Sequence, residues 1–193
     1  MTTSIGVVFG PMDESTIGIL SYLITCQNAL QQSFEFRIIS CPEDDPFLES
    51  LSATPAPAHD EIVPGFVDFL TRVTAWNRQI AKSYDLEVIS FDKVVLLTDV
   101  RFSDNYFYIS SDTWAVIALG GWQSEFAPPS IVEYYLSFIV VLALDNVVQM
   151  GLSRHYETTG CVLDFSASLH HARLRVTPLP PPPPYTRASR RSG

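Results

Sequence analysis

IVEYYLSFIVVLALDN, residues Ile131–Asn146, is the most apolar stretch of the chain. Two fates are open to such a run: it crosses a bilayer or it fills a core. Glu133 interrupts it near its start, and Asp145 and Asn146 close it. Only the eleven residues Tyr134–Leu144 are free of charge, against the roughly 20 that a spanning helix needs. The run therefore reads as a long buried core helix over 130–150, and no membrane partner is expected.

Working upstream, Gly120–Gly121 and Pro128–Pro129–Ser130 separate this helix from three strand candidates, Val94–Thr98, Phe107–Ser110 and Trp114–Leu119. Farther back, Phe66, Phe69, Leu70, Val73, Trp76 and Ile80 recur at helical spacing and predict an amphipathic helix over 62–81. Residues 41–60 hold four prolines among acids and read as a loop. FEFRIIS (Phe34–Ser40) reads as a strand. DESTIGILSYLITCQNALQQ reads as a helix started by Asp13 or Ser15, with Ile17, Leu20, Leu23 and Ile24 on one face. SIGVVF (Ser4–Phe9) is a short apolar run of the buried-strand type. Downstream of the long helix, Cys161–Phe165 is a further strand-like run. The order β-α-β-α-β-β-β-α predicts an α/β or α+β domain built on a mixed sheet.

The composition divides the chain in two. Residues 177–193 hold six of the fourteen prolines, five of them consecutive (Pro180–Pro184), and three of the twelve basic residues, Arg187, Arg190 and Arg191. They read as a disordered Pro-rich basic tail whose polyproline run offers P-x-x-P geometry. Residues 1–176 carry nine basic against twenty-one acidic residues, a net charge of −12. Such a body argues against a nucleic-acid partner, whose phosphates are held by clustered Lys and Arg. Cys26, Cys41 and Cys161 have no disulfide or metal spacing, and the first residues lack the pattern of a secretory leader. Reduced thiols in a cytoplasmic protein are the expectation.

The segment LDNVVQMGLSRHYETTGCVLDFSASL (Leu144–Leu169) holds the candidate chemistry. Asp145 and Gln149 are four apart and share a helix face, with Asn146 one step round. Gly151 can end the helix in a left-handed turn that brings His155 back beside it. Zincins gather their ligands in this way, two from successive helical turns and one from beyond a glycine turn. Taken singly, the same residues have plainer roles. Asp145 and Asn146 can be the polar end of a core helix, His155 a hydrogen-bonded loop residue, and Cys161 a buried inert thiol. Trp114, with Tyr106, Phe107, Tyr108 and Trp122 nearby, can line a peptide groove or pack on the sheet.

The segment is similar to the archaemetzincins, metzincin-type zinc peptidases with the motif H-E-x-x-H-x-x-G-x-x-H-C-x-x-x-x-C-x-M. His155 falls on the third histidine, and its spacing to Cys161 matches the family's spacing to the cysteine of its C-x-M turn. CVLDFSASL (Cys161–Leu169) resembles the family's CVM-N-F-S-N-S-L stretch, with Leu163 at the methionine position and Asp164 beside it. KVVLLTDV (Lys93–Val100) with AVIAL (Ala115–Leu119) resembles the paired strands before the family's active-site helix. AWNRQ (Ala75–Gln79) resembles its tyrosine–asparagine–arginine–glutamine segment. The resemblance implies a zincin-like single domain over 1–176, a twisted mixed sheet with a long buried helix.

The departures from the motif bear on the chemistry. Asp145 stands at the first histidine, Asn146 at the general-base glutamate and Gln149 at the second histidine. Leu152 occupies the glycine position, and Tyr156 replaces the first cysteine, so no pair remains for the family's second zinc. An amide oxygen is a poor zinc ligand, and Asn has no titratable carboxylate to take a proton from metal-bound water. The expectation is a scaffold with a degraded zinc site: no cofactor, zinc being the metal it would take if it held one. It would act as a non-catalytic binding or regulatory module with a peptide or protein partner. Two alternatives stand beside it, a weak or altered hydrolase using Asp145, His155 and Glu157 or Asp164, and a structural subunit of a larger assembly.

Overall fold

SIGVVF, with one residue on its amino side, forms strand β1 (Thr3–Phe9), and the rest of the domain is arranged around it. The computed structural model describes residues 2–42, 44–54, 56–103, 108–120 and 130–148, with His59, Tyr108 and 144–148 given by their backbone. The further elements are α1 (Glu14–Leu30), β2 (Phe34–Ile38), α2 (Pro46–Ala53), α3 (His59–Ser83), β3 (Lys93–Thr98), β4 (Tyr108–Ser110), β5 (Trp114–Ala118) and α4 (Ile131–Val148). The five strands make one mixed sheet in the order β2-β1-β3-β5-β4. β1 pairs in parallel with β2 on one side and β3 on the other, and β5 extends the parallel run. β4 alone is antiparallel, with Tyr108 opposite Ile117 and Ser110 opposite Ala115.

From β1 the chain crosses to β2 on one side, then returns past β1 to β3 on the other. Right-handed crossovers in opposite directions place their helices on opposite faces. Leu20 and Ile24 of α1 join Tyr134, Tyr135, Phe138, Ile139 and Leu142 of α4 over Ile5, Val7, Val95, Leu97 and Ile117. On the other face, Phe47 and Leu51 of α2 and Phe66, Phe69 and Val73 of α3 cover Val8, Leu96 and Val116. β1, β3 and β5 are therefore buried on both faces. This explains why they read as continuous apolar runs rather than alternating ones.

The mixed α/β domain agrees with the sequence expectation at the level of class, and each strand candidate upstream of the long helix forms within two residues of its expected bounds. Two readings are corrected. Residues 41–60 are not all loop, because Pro46–Ala53 is helical. Asp45 caps that helix by accepting the Phe47 amide at 2.9 Å, and Pro46 sits at the first helical position, where its missing N–H costs nothing. The residues counted as loop signals are in fact start signals. Trp76 does not join the inward stripe of α3 but is 39% exposed. Asn77, one position on, reaches the Ser40 carbonyl at 3.0 Å instead. The Cys161–Phe165 run and the 177–193 tail lie outside the described residues.

Two local constraints hold the layers together. Gly120 ends β5 against Asp99–Arg101, where a Cβ would stand 2.0 Å from the Asp99 carbonyl oxygen. Only a residue without a side chain permits that backbone approach. On the opposite face, the Asp45 carboxylate takes two hydrogen bonds from Arg72 of α3, both 2.8 Å, while its side chain is only 2% exposed.

The hydrogen bonds from Arg72, and then the Phe47 amide, hold the Asp45 carboxyl below the ordinary 3.8. Because the folded value lies below the unfolded one, the stabilisation is complete above the ordinary aspartate range and is lost as pH falls through the lowered folded value. Asp45→Ala is expected to cost about 1–3 kcal/mol at neutral pH in urea unfolding. The gap to the parent should close progressively below pH 3.8. A gap that persists undiminished in acid would assign the loss to packing instead.

Candidate functional site

The residues singled out for chemistry belong to the end of α4 and the segment after it. Asp145 and Asn146 lie in the last turn of α4, where the backbone is helical as expected. Gln149, His155, Cys161, Leu163 and Asp164, with Glu157 and Trp122, lie outside the described residues. The structure therefore fixes the helix that carries the first two positions, and its docking can be followed residue by residue.

α4 starts with a reciprocal capping box. The Ser130 amide donates to the Glu133 carboxylate at 2.7 Å, and the Glu133 amide returns a bond to the Ser130 hydroxyl at 3.3 Å. The charge that interrupts the apolar run is thus spent on the helix start, and the Ser130 bonds hold the Glu133 carboxyl below its usual range. One turn in, the Tyr135 hydroxyl is buried and donates at the carboxyl end of β3. It lies 2.7 Å from the Thr98 carbonyl and 2.9 Å from Asp99 Oδ1. Burial first, and then the Asp99 charge, push the phenol far above its ordinary value, so it is a fixed neutral donor. Tyr134, Phe138, Ile139, Leu142 and Ala143 continue the buried stripe down the helix. Asp145 and Asn146 follow ten and eleven residues beyond Tyr135, about 15 Å along the axis.

The carboxyl end of β3 is itself tied to β1 and α1. Thr98 donates its hydroxyl to the Pro11 carbonyl at 3.0 Å, and the Asp99 amide donates to the same carbonyl at 2.9 Å. Asp13 caps α1 by accepting the Thr16 amide at 3.0 Å. These groups sit where strand order reverses between β1 and β3, the crevice position of open α/β sheets. Their polar atoms bond one another, and the arrangement works as a brace for α4.

The two edges of the sheet differ. On β2, Gln31 donates to the Phe34 carbonyl and accepts the Phe34 amide, both at 2.8 Å. Asn28 does the same at Phe36, at 2.7 and 2.8 Å. Each carboxamide thus imitates the donor and acceptor of a neighbouring strand and closes the edge. At the other edge, Ser111 donates its amide to the Trp114 carbonyl at 2.8 Å. This fixes Ser111 opposite Trp114 and, two residues on, Ile109 opposite Val116 as the bonded pairs. Tyr108 and Ser110 then turn their backbone N–H and C=O outward. Among the described residues nothing pairs with that edge.

Trp114 settles one aromatic alternative. Its ring meets Phe66 edge-on at 5.3 Å and belongs to the packed face rather than to an open groove. A cavity of about 450 Å³ opens instead between α3, the exposed end of β2 and residues 86–91, with Ile38, Leu70 and Val88 as apolar lining and Arg37, Asn77 and Arg78 at its polar parts. Sequence reasoning did not single out Asn28, Gln31, Tyr135, Asp99 or this cavity. A pair of amides directly before a strand was the available signal for the sealed edge.

Among the described residues no three His, Cys, Asp or Glu side chains converge on a metal position, and no helix is long and apolar enough to cross a membrane. One carboxylate, one amide and one imidazole at Asp145, Gln149 and His155 are a poor fit to tight zinc binding. Compared with known proteins, the chain matches no family model, no curated protein and no solved structure.

Removing both amides tests the seal. Asn28→Ala with Gln31→Ala should lower stability by about 1–3 kcal/mol and produce larger species that grow with concentration in light scattering. A double variant that keeps the parent's size distribution would show that the β2 edge needs no guard.

Proposed function

We propose that the chain is a non-catalytic peptide-binding module on an archaemetzincin-like, zincin-type scaffold whose metal motif has decayed. Support comes first from order and pairing. The two strands that resemble the family's, β3 and β5, are register neighbours, with Val95 opposite Ala115 and Leu97 opposite Ile117. The helix that follows them ends in the degraded motif positions Asp145 and Asn146. The donor chemistry at the motif argues against hydrolysis, since the general-base position holds an amide.

The observation that carries the binding half is the contrast between the sheet edges. The chain spends two side-chain amides on closing β2, while β4 turns Tyr108 and Ser110 outward. Among the described residues the sheet guards one edge and leaves the other bare, and a bare edge is suited to receive an extended segment by main-chain hydrogen bonds. Because β4 is only three residues long, such a site holds a short stretch of peptide, and affinity must come partly from side chains beside it.

Ser110→Pro tests this directly. Proline removes the outward N–H at that edge without touching the pairing to β5, a position where sheets tolerate it. With a randomised pool of extended nonapeptides as the probe, the parent chain should retain a subset and the variant should lose it at an unchanged melting curve. Retention by both, or by neither, would reject the edge as the site. Stoichiometric zinc after purification without chelator, together with peptide cleavage lost in Asp145→Asn with His155→Ala, would overturn the non-catalytic half and support a hydrolase.

A further inference from the structure

Residues 84–92 leave α3 and return to the sheet without forming a helix or a strand. Asp85, with a left-handed φ of 52°, turns the chain back, and the Leu86 amide donates to the Ala81 carbonyl at 2.8 Å. At the far end, the Asp92 amide donates to the Ser4 carbonyl and the Asp92 carboxylate accepts the Ser4 amide, both at 2.8 Å. Phe91 fastens the segment from within. It lies over Gly6, where a Cβ would stand 3.2 Å from the Phe91 ring and closer still to Ile39. The segment is thus a strap held at both ends, and its middle borders the cavity between α3 and the end of β2.

What this cavity offers to solvent is largely apolar. Leu86 is 61% exposed and Val88 53%. With Ile38 and Ile89 they make four of the ten large apolar side chains exposed among the described residues, and all four line this one cavity. Exposed apolar residues scattered singly need no explanation, whereas a cluster of them in a concavity marks a binding surface. A volume of about 450 Å³ is that of a small-molecule site.

The polar groups of the lining select the molecule. Arg37 is bound by Glu35, as Arg72 is by Asp45. Arg78 lines the cavity with no carboxylate partner among the described residues, on a body whose net charge is −12. Glu87, the one acid in the lining, forms no ion pair with it. Thr74 lines the cavity one helical turn before Arg78, on the same face of α3, and its hydroxyl has no partner among the described residues. Asn77 is already committed, since its amide hydrogens go to the Ser40 and Val73 carbonyls at 3.0 and 2.8 Å. The donors that remain, a guanidinium and a hydroxyl one turn apart, suit a carboxylate.

We propose that this cavity binds a small amphipathic carboxylic acid, its carboxylate on Arg78 and Thr74 and its apolar body along Ile38, Leu86, Val88 and Ile89. The site lies on the β2 side of the sheet, at the opposite end of the strand order from β4. It therefore stands or falls separately from peptide binding at the β4 edge.

Decanoate, kept below its micelle concentration, is the probe for the full chain, with decanol as its uncharged counterpart. Decanoate should bind saturably, one per chain, and raise the melting temperature. Decanol should bind about ten-fold more weakly. Arg78→Gln should weaken decanoate binding by about ten-fold, and Val88→Asp should abolish it. Both side chains are exposed, so neither substitution should move the melting curve of the free chain. No saturable binding to the parent would overturn the proposal, as would equal affinity for decanol or an affinity that survives either substitution. A dimer in solution that Val88→Asp splits into monomers would also overturn it, by giving the patch to a second copy of the chain.

Discussion

The docking of α4 is the constraint on which the other features depend. A helix with bulky side chains on nearly every turn can rotate or slide on an apolar sheet at little cost, since hydrophobic contact has no direction. A buried hydroxyl removes that freedom. The Tyr135 oxygen has to meet Thr98 and Asp99, because leaving it unpaired would cost about 1–3 kcal/mol. One polar group thus sets both the rotation and the longitudinal register of the helix. Thr98 and Asp99 are braced in turn on Pro11, so the register passes to β1 and to the start of α1.

The same logic separates what packs from what specifies. The rings of Phe47, Phe66 and Phe69 lie 5.1–5.8 Å apart and fill the far face of the sheet. Their contribution is large and indifferent to small adjustments. Gly120, the Asp45–Arg72 pair and the paired amides of Asn28 and Gln31 bury little area, yet each admits only one arrangement of the chain. Order in this domain comes from a few polar and steric contacts laid over a permissive apolar core.

Much of this was legible in the sequence where burial is symmetrical. β1, β3 and β5 are covered on both faces, and α4 is apolar almost throughout, so each stands out as a run without needing its neighbours. Legibility fails where a residue's role depends on a partner far along the chain. Asp45 and Pro46 look like loop residues until Arg72, twenty-seven positions on, is brought beside them. Lys93 looks like a solvated strand end, yet as the register partner of Ile5 it is buried.

The closure of β2 has one more consequence, which concerns time rather than geometry. A carboxamide can imitate a strand because it carries a donor and an acceptor together. Hydrolysis of the Asn28 amide, a slow spontaneous ageing of proteins, would replace Nδ2 with an oxygen and set a negative charge against the Phe36 carbonyl that it now serves. The guard at that edge is therefore perishable. An old molecule, with no change of fold, would keep the Gln31 bonds at Phe34 but lose the match at Phe36, and its β2 edge would be only half guarded.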